Sequence, residues 1–144
     1  KLFFDGTRYF KLMKGHTIAA RFFVGSSSGD IPYYYLFDIK GIKGLKAPGY
    51  SNYAGEKVIL LDLEYRFWLF DIPILFGEWA EGVIFADAGR TWDQGEKIDL
   101  KNVDYALGPG LRFHFPMPVF VDMRIEYGFG KKGSRIYFDF SGDI

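Results

Sequence analysis

The sequence predicts an all-β protein, an antiparallel transmembrane β-barrel or part of one, with seven or eight strands. Three observations carry this expectation. Aromatic residues make up 20% of the chain and hydrophobic residues 49%, a composition suited to pleated, half-buried surfaces. No segment has useful helical periodicity, whereas alternating apolar and polar runs recur between Gly-, Pro-, Asn- and Ser-rich breaks. Several runs are about 10–13 residues long. An average soluble strand has about 5–6 residues, and a tilted membrane-spanning strand needs about 9–11.

In chain order the candidate strands are residues 1–12, 16–25, 33–40, 58–70, 80–92, 103–115, 119–129 and 134–141. Lys14-Gly15 supplies the first turn, and the Gly/Ser/Asp stretch 25–30 ends the second strand. A long Gly/Pro/Asn/Ser region, 41–56, precedes the strand at 58–70. The remaining breaks are 71–77, the acidic loop 93–102, Pro116-Met117-Pro118 and 128–133. Residues 1–144 read as one domain, because a chain of this length supports one core.

Strand parity is the most informative feature. In 58–70, Leu61, Leu63, Tyr65, Phe67 and Leu69 share one face, while Asp62, Glu64 and Arg66 share the other. In 119–129, Val121, Met123, Ile125, Tyr127 and Phe129 oppose Asp122, Arg124 and Glu126. Leu107, Leu111 and Phe113 oppose Arg112 and His114 in 103–115, and Ile136, Phe138 and Phe140 oppose Arg135 and Asp139 at the end. In 16–25, Ile18, Ala20, Phe22 and Val24 oppose Arg21. Such alternation fits a soluble sheet with its charges facing water, and equally a membrane barrel with its charges lining a lumen.

The chemistry of the polar face favours the barrel. It is built from Asp, Glu and Arg interrupted by Gly25, Gly89, Gly108, Gly110 and Gly128. Arg–carboxylate pairs suit confined, poorly hydrated space, and glycines relieve crowding inside a closed sheet. Trp68, Phe70, Trp79, Trp92, Phe115 and Tyr127 cluster near strand ends, where an interfacial aromatic belt belongs.

Composition excludes several chemistries. The 18 basic and 18 acidic residues balance, so the footprint of a general nucleic-acid binder is missing. There is no cysteine, hence no disulfide, thiolate nucleophile or Cys-based zinc site. His16 and His114 alone cannot make a His-rich metal site, so neither metal nor cofactor is expected. No uncharged apolar run reaches about 18 residues, which excludes a membrane-spanning helix but not membrane strands. The chain opens Lys-Leu-Phe-Phe without a signal peptide or initiator Met, as expected of a processed chain or a piece of a longer one.

Catalytic readings are weak. His114 with Ser26, Ser27 or Ser28 would suit a small eight-stranded outer-membrane lipid-modifying enzyme, yet nothing places a serine near the imidazole. Asp62 and Glu64 share a face about 7 Å apart, but Arg66 continues their row, as in a neutralised charge network. Asp93, Glu96, Asp99 and Asp104 lack calcium-loop spacing and read as a solvated loop. No enzyme is expected. A soluble eight-stranded carrier of an apolar ligand is the remaining alternative.

Several segments resemble the BamA/TamA-like outer-membrane assembly factors, the bacterial surface antigen superfamily. The string PYYYLFDIKGIKGLKAP at 32–48 resembles the family's sixth extracellular loop, where Pro and aromatics lead to Gly-Gly and then Val-Arg-Gly-Phe. GEKVILLDLEYRF resembles the next strand, with Glu64 at its lumenal glutamate. VIFADAGRTWD resembles the Phe-x-Asp-x-Gly-x-x-Trp strand, placing Asp87, Gly89 and Trp92. ALGPGLRFHFPMP, VFVDMRIEYGFG and GSRIYFDF resemble the three closing strands.

The resemblance implies a loop, about 32–57, folded into the lumen, with seven strands matching the C-terminal part of a sixteen-stranded barrel. It implies a loop-tip cation held by Glu64 and Asp87. Gap-free alignment puts Lys46 at the family's arginine, and a shifted register puts Lys43 there. Either lysine keeps the charge and loses the bidentate fork. Asp62, Arg66, Arg112, His114, Asp122, Arg124 and Glu126 form the expected lumenal charge network around them. By the same resemblance the protein sits in a Gram-negative or organelle outer membrane. Its partners are outer-membrane lipid, unfolded β-barrel clients, and the rest of the barrel or another copy for closure.

Overall fold

A computed structural model describes residues 1–30, 32–39, 46, 54–72, 78–93, 95–99, 103–115, 120–131 and 133–143. Seven long strands dominate: β1 (Leu2–Met13), β2 (His16–Ser26), β5 (Lys57–Ile72), β6 (Glu78–Trp92), β7 (Asp104–Phe115), β8 (Phe120–Gly130) and β9 (Gly133–Asp143). Two short strands, β3 (Phe37–Asp38) and β4 (Ala54–Gly55), lie between β2 and β5. The β1–β2 turn is tight because Gly15 adopts a left-handed φ of 76°, which side chains resist.

The long strands form one antiparallel sheet in the order β1-β2-β5-β6-β7-β8-β9. Its neighbours are also successive in the chain, apart from the β3–β4 excursion, so it is a meander. An odd number of antiparallel strands leaves β1 and β9 running the same way. Those two strands are the ends of the sheet, and no closed barrel forms among the described residues. The pairing in β5–β6 shifts between Trp68 and Phe70, a bulge near the strand end that bends the edge of the sheet.

The eighth strand considered for 33–40 does not join this sheet. Tyr33–Tyr35 is a 3-10 turn after Pro32, and only Phe37 and Asp38 pair, with Gly55 and Ala54. The alternating Tyr33, Tyr35, Phe37 and Ile39 imitate a strand in sequence, but Pro32 breaks the chain there and a 3-10 turn follows it, overriding the β preference of the tyrosines. Of the seven or eight strands expected, the main sheet has seven, and the self-closed eight-stranded alternative is not formed among the described residues.

The two faces of the sheet differ in an unusual sense. Phe23, Val58, Leu60, Val83, Phe85 and Ala106 of one face bury against Phe37 and Ile39 of the intervening segment. Burial of each large apolar side chain there contributes roughly 1.5–3 kcal/mol. The same face carries the charges, and Arg112, Asp87 and Glu126 are 2%, 2% and 4% exposed. The opposite face exposes large apolar side chains strand after strand: Leu2 and Phe4, Phe22, Leu61 and Leu63, Ile84, Leu107 and Leu111, Phe129, then Phe138 and Phe140. Charge is inside and hydrocarbon outside.

Candidate functional site

The charged face converges on Lys46. Its backbone carbonyl lies against β8, where a Cβ on Gly128 would overlap it. Its Nζ lies 4.3 Å from the centre of the Phe85 ring, 3.2 Å from Glu64 Oε1 on β5 and 3.1 Å from Glu126 Oε2 on β8. A single ammonium thus bridges strands separated in the sheet by β6 and β7, which requires the sheet to curl around it. One cavity of about 170 Å³ runs from Thr7 and Tyr9 of β1 to Arg124 of β8, showing the same curl.

Burial opposes the charge on Lys46, but the carboxylates of Asp87, Glu126 and Glu64 outweigh it and hold the ammonium above the ordinary lysine value. The aromatic face of Phe85 adds a cation–π contact. Lysine is a point charge with rotating donors, so it can divide itself between two carboxylates without a planar fork.

Around this contact the predicted residues assemble unevenly. Glu64 is the hub, accepting from Arg66 Nε and Nη2 at 3.0 and 2.7 Å and from Arg112 Nη2 at 2.7 Å. Arg112 also approaches Glu126 at 3.5 Å. Asp62 meets Arg21 at 3.6 Å, and Arg21 forks onto Asp5 at 2.9 and 2.8 Å. His114 and Asp122 stand apart from Lys46, toward the Trp79 end of β6. Arg124 makes no hydrogen bond or ion pair with any described residue.

Two placements differ from expectation. Asp87 is opposite Asp62 in the β5–β6 register and feels Lys46 electrostatically. Neither of its buried oxygens has a hydrogen-bond partner, however, and Glu126 is the second carboxylate that Lys46 pairs with. Lys46 itself lies past β6, against Gly128 and Glu126 of β8. Lys43 lies outside the described residues.

Sequence reasoning also missed residues. Glu81 and Asp5 belong to the charged face beside Arg21, which parity had already placed there, and Glu81 shares the parity of Asp87, which was the available signal. Glu81 Oε2 is 3.1 Å from His114 Nε2, while Asp122 Oδ1 is 2.8 Å from Nδ1 and the Trp79 ring stacks at 4.7 Å. The imidazole is thereby fixed across β6, β7 and β8. Ser27 instead donates to the Glu56 carbonyl at 2.9 Å, beyond the Ser26–Lys57 pair at the other end of the sheet. No serine–histidine couple exists among the described residues.

No family model matches the chain, and comparison with curated proteins and with solved structures finds no match either. The chemistry of the site therefore rests on its own geometry. Among the described residues it offers no nucleophile–base pair and no cluster of groups able to hold a metal ion. What it offers is a lock: a loop cation pinned between two strands by ion pairs, a ring and a close backbone contact.

Proposed function

We propose that the chain is a membrane-embedded part of an outer-membrane β-barrel similar to the BamA/TamA-like assembly factors, acting in insertion or translocation of other β-proteins. The observation that carries this reading is the inverted sheet: Arg112, Asp87 and Glu126 buried on the inner face, Leu107, Phe138 and Phe140 exposed on the outer one. A soluble sheet would place these sets the other way round. In a bilayer the outer residues meet lipid and the inner ones line a lumen.

The lysine-tipped loop supports the more specific part of the proposal. A loop held by Lys46 between Glu64 and Glu126 would brace the lumen of a barrel whose work is mechanical. In this reading no bond is made or broken and no cofactor takes part. Strand direction adds a constraint. Because β1 and β9 run the same way, antiparallel closure needs an odd number of further strands. A second copy in the same orientation brings seven and leaves parallel seams, so further strands of a larger barrel fit better.

The decisive experiment reconstitutes the purified chain with lipid vesicles and follows folding of an unfolded outer-membrane β-protein into them. Detergent-dependent solubility, vesicle association and faster client folding are expected, with the acceleration reduced by Lys46→Met. A monodisperse monomer in detergent-free buffer would overturn the membrane reading. Vesicle insertion without any effect on clients would overturn the assembly reading alone.

A further inference from the structure

The cavity beside Lys46 has a composition that the lock does not explain. It is lined by Arg21, Lys46, Arg66 and Arg124 together with Asp62 and Glu64. Glu64 is saturated by Arg66, Arg112 and Lys46, and Arg21 is taken by Asp5 and Asp62. Arg124 is different. Its Nε is buried without a partner, and Arg112, directly opposite on β7, repels it. Asp139, its neighbour on β9, makes no ion pair with it among the described residues. Arg124 is only partly exposed and lines the cavity with its Nε unpaired, and the donor fork of an arginine so placed suits a tetrahedral or planar oxyanion.

A second unpaired group selects among oxyanions. Asp62 Oδ1, in the same cavity, is buried and has no hydrogen-bond partner. A carboxylate accepts and cannot donate, so it repels a fully deprotonated anion and welcomes one that still carries a hydroxyl. Inorganic phosphate keeps a P–OH in both forms present near neutral pH and a monoester keeps one in its monoanion, whereas sulfate and phosphodiesters have none. We propose that this cavity binds a phosphate group bearing a P–OH, accepting from Arg124 and donating to Asp62 Oδ1. The volume of about 170 Å³ accommodates free phosphate or the phosphate end of a larger monoester. The proposal needs only the cavity, so it stands or falls apart from the assembly reading.

The test is calorimetric titration of the full chain with sodium phosphate and sodium sulfate at matched ionic strength. Saturable phosphate binding is expected, with sulfate at least about tenfold weaker because an acceptor facing an acceptor is penalised. Arg124→Gln should weaken phosphate by about ten- to a hundredfold. Asp62→Asn, whose amide can donate, should narrow the phosphate–sulfate gap. Glycerol phosphate should compete if the source is a larger monoester, and dimethyl phosphate, a diester, should not. Equal affinity for sulfate, competition by the diester, or no saturable binding would overturn the proposal; the anion comparison requires no variant to fold.

Discussion

Gly128 and the carbonyl of Lys46 occupy each other's space: a Cβ on the glycine would overlap that oxygen. The loop therefore reaches its ion pairs only because β8 lacks a side chain at this position. Gly128→Ala should push the Lys46 backbone away, since a backbone atom cannot rotate aside. The cost expected for such overpacking is about 1–3 kcal/mol. It should appear as faster cleavage between Leu36 and Gly55 in limited proteolysis. Gly82→Ala is the control, because its Cβ would strike the Phe67 ring on the other face. That change should lower Tm without altering loop cleavage.

Removing the ammonium should be worse than moving it. Lys46→Met leaves Glu64 and Glu126, both largely buried, with less compensation, and breaking such a pair costs about 3–5 kcal/mol. Arg112 remains beside both carboxylates, so the lower end of that range is expected. Lys46→Arg should keep most of the stability. It should also change the alkaline limb. A lysine held above its ordinary value contributes stability that is complete below the unfolded-state value and lost as pH rises through the folded-state one. Arginine does not titrate there, so denaturation above about pH 10 should be less pH-dependent in Lys46→Arg than in the wild type. Identical limbs would count against the ion-pair role.

Much of this was legible from alternation. The runs at 58–70 and 103–115 match β5 and β7 to within two residues, because a period of two survives any uncertainty about where a strand begins. The sides of Glu64, Arg112 and Glu126 followed from the same parity. What alternation cannot encode is curl. Whether Lys46 meets Asp87 on β6 or Glu126 on β8 depends on how far the sheet bends and how deep the loop reaches, and both are properties of packing across the fold. Residues 33–40 failed for the opposite reason. Their local pattern was strand-like, yet the backbone after Pro32 turns, and Phe37 and Ile39 find their burial against Phe23 and Phe85 instead of in the sheet.

His114 should behave as a structural clasp. Its two ring nitrogens face Glu81 on β6 and Asp122 on β8, so one side chain ties three strands. His114→Ala should cost about 1.5–3 kcal/mol, the range for hydrogen bonds to charged groups. Amide exchange should quicken in the Trp79–Glu81 and Asp122 segments and remain unchanged around Gly25 and Trp92, at the far end of the strands. A hydrolytic role would look different: loss of an esterase activity with exchange left unaltered.

The most discriminating substitution lies on the outer face. Leu107 is 50% exposed, with β6 and β8 on either side and the charge network behind it. If that face meets water, Leu107→Arg should change stability by no more than about 0.5 kcal/mol, as most surface replacements do. If it meets hydrocarbon, an arginine near the midplane costs about 2–4 kcal/mol and acts only when lipid is present. The expected outcome is normal secondary structure in detergent with a clear loss of stability in vesicles. Phe138→Arg on β9, 66% exposed, should show the same dependence on lipid. Lys57→Arg near the strand end should not, because a cation there keeps its charge near the bilayer surface. Equal effects in detergent and vesicles for Leu107 and Phe138 would mean that something other than lipid covers this face.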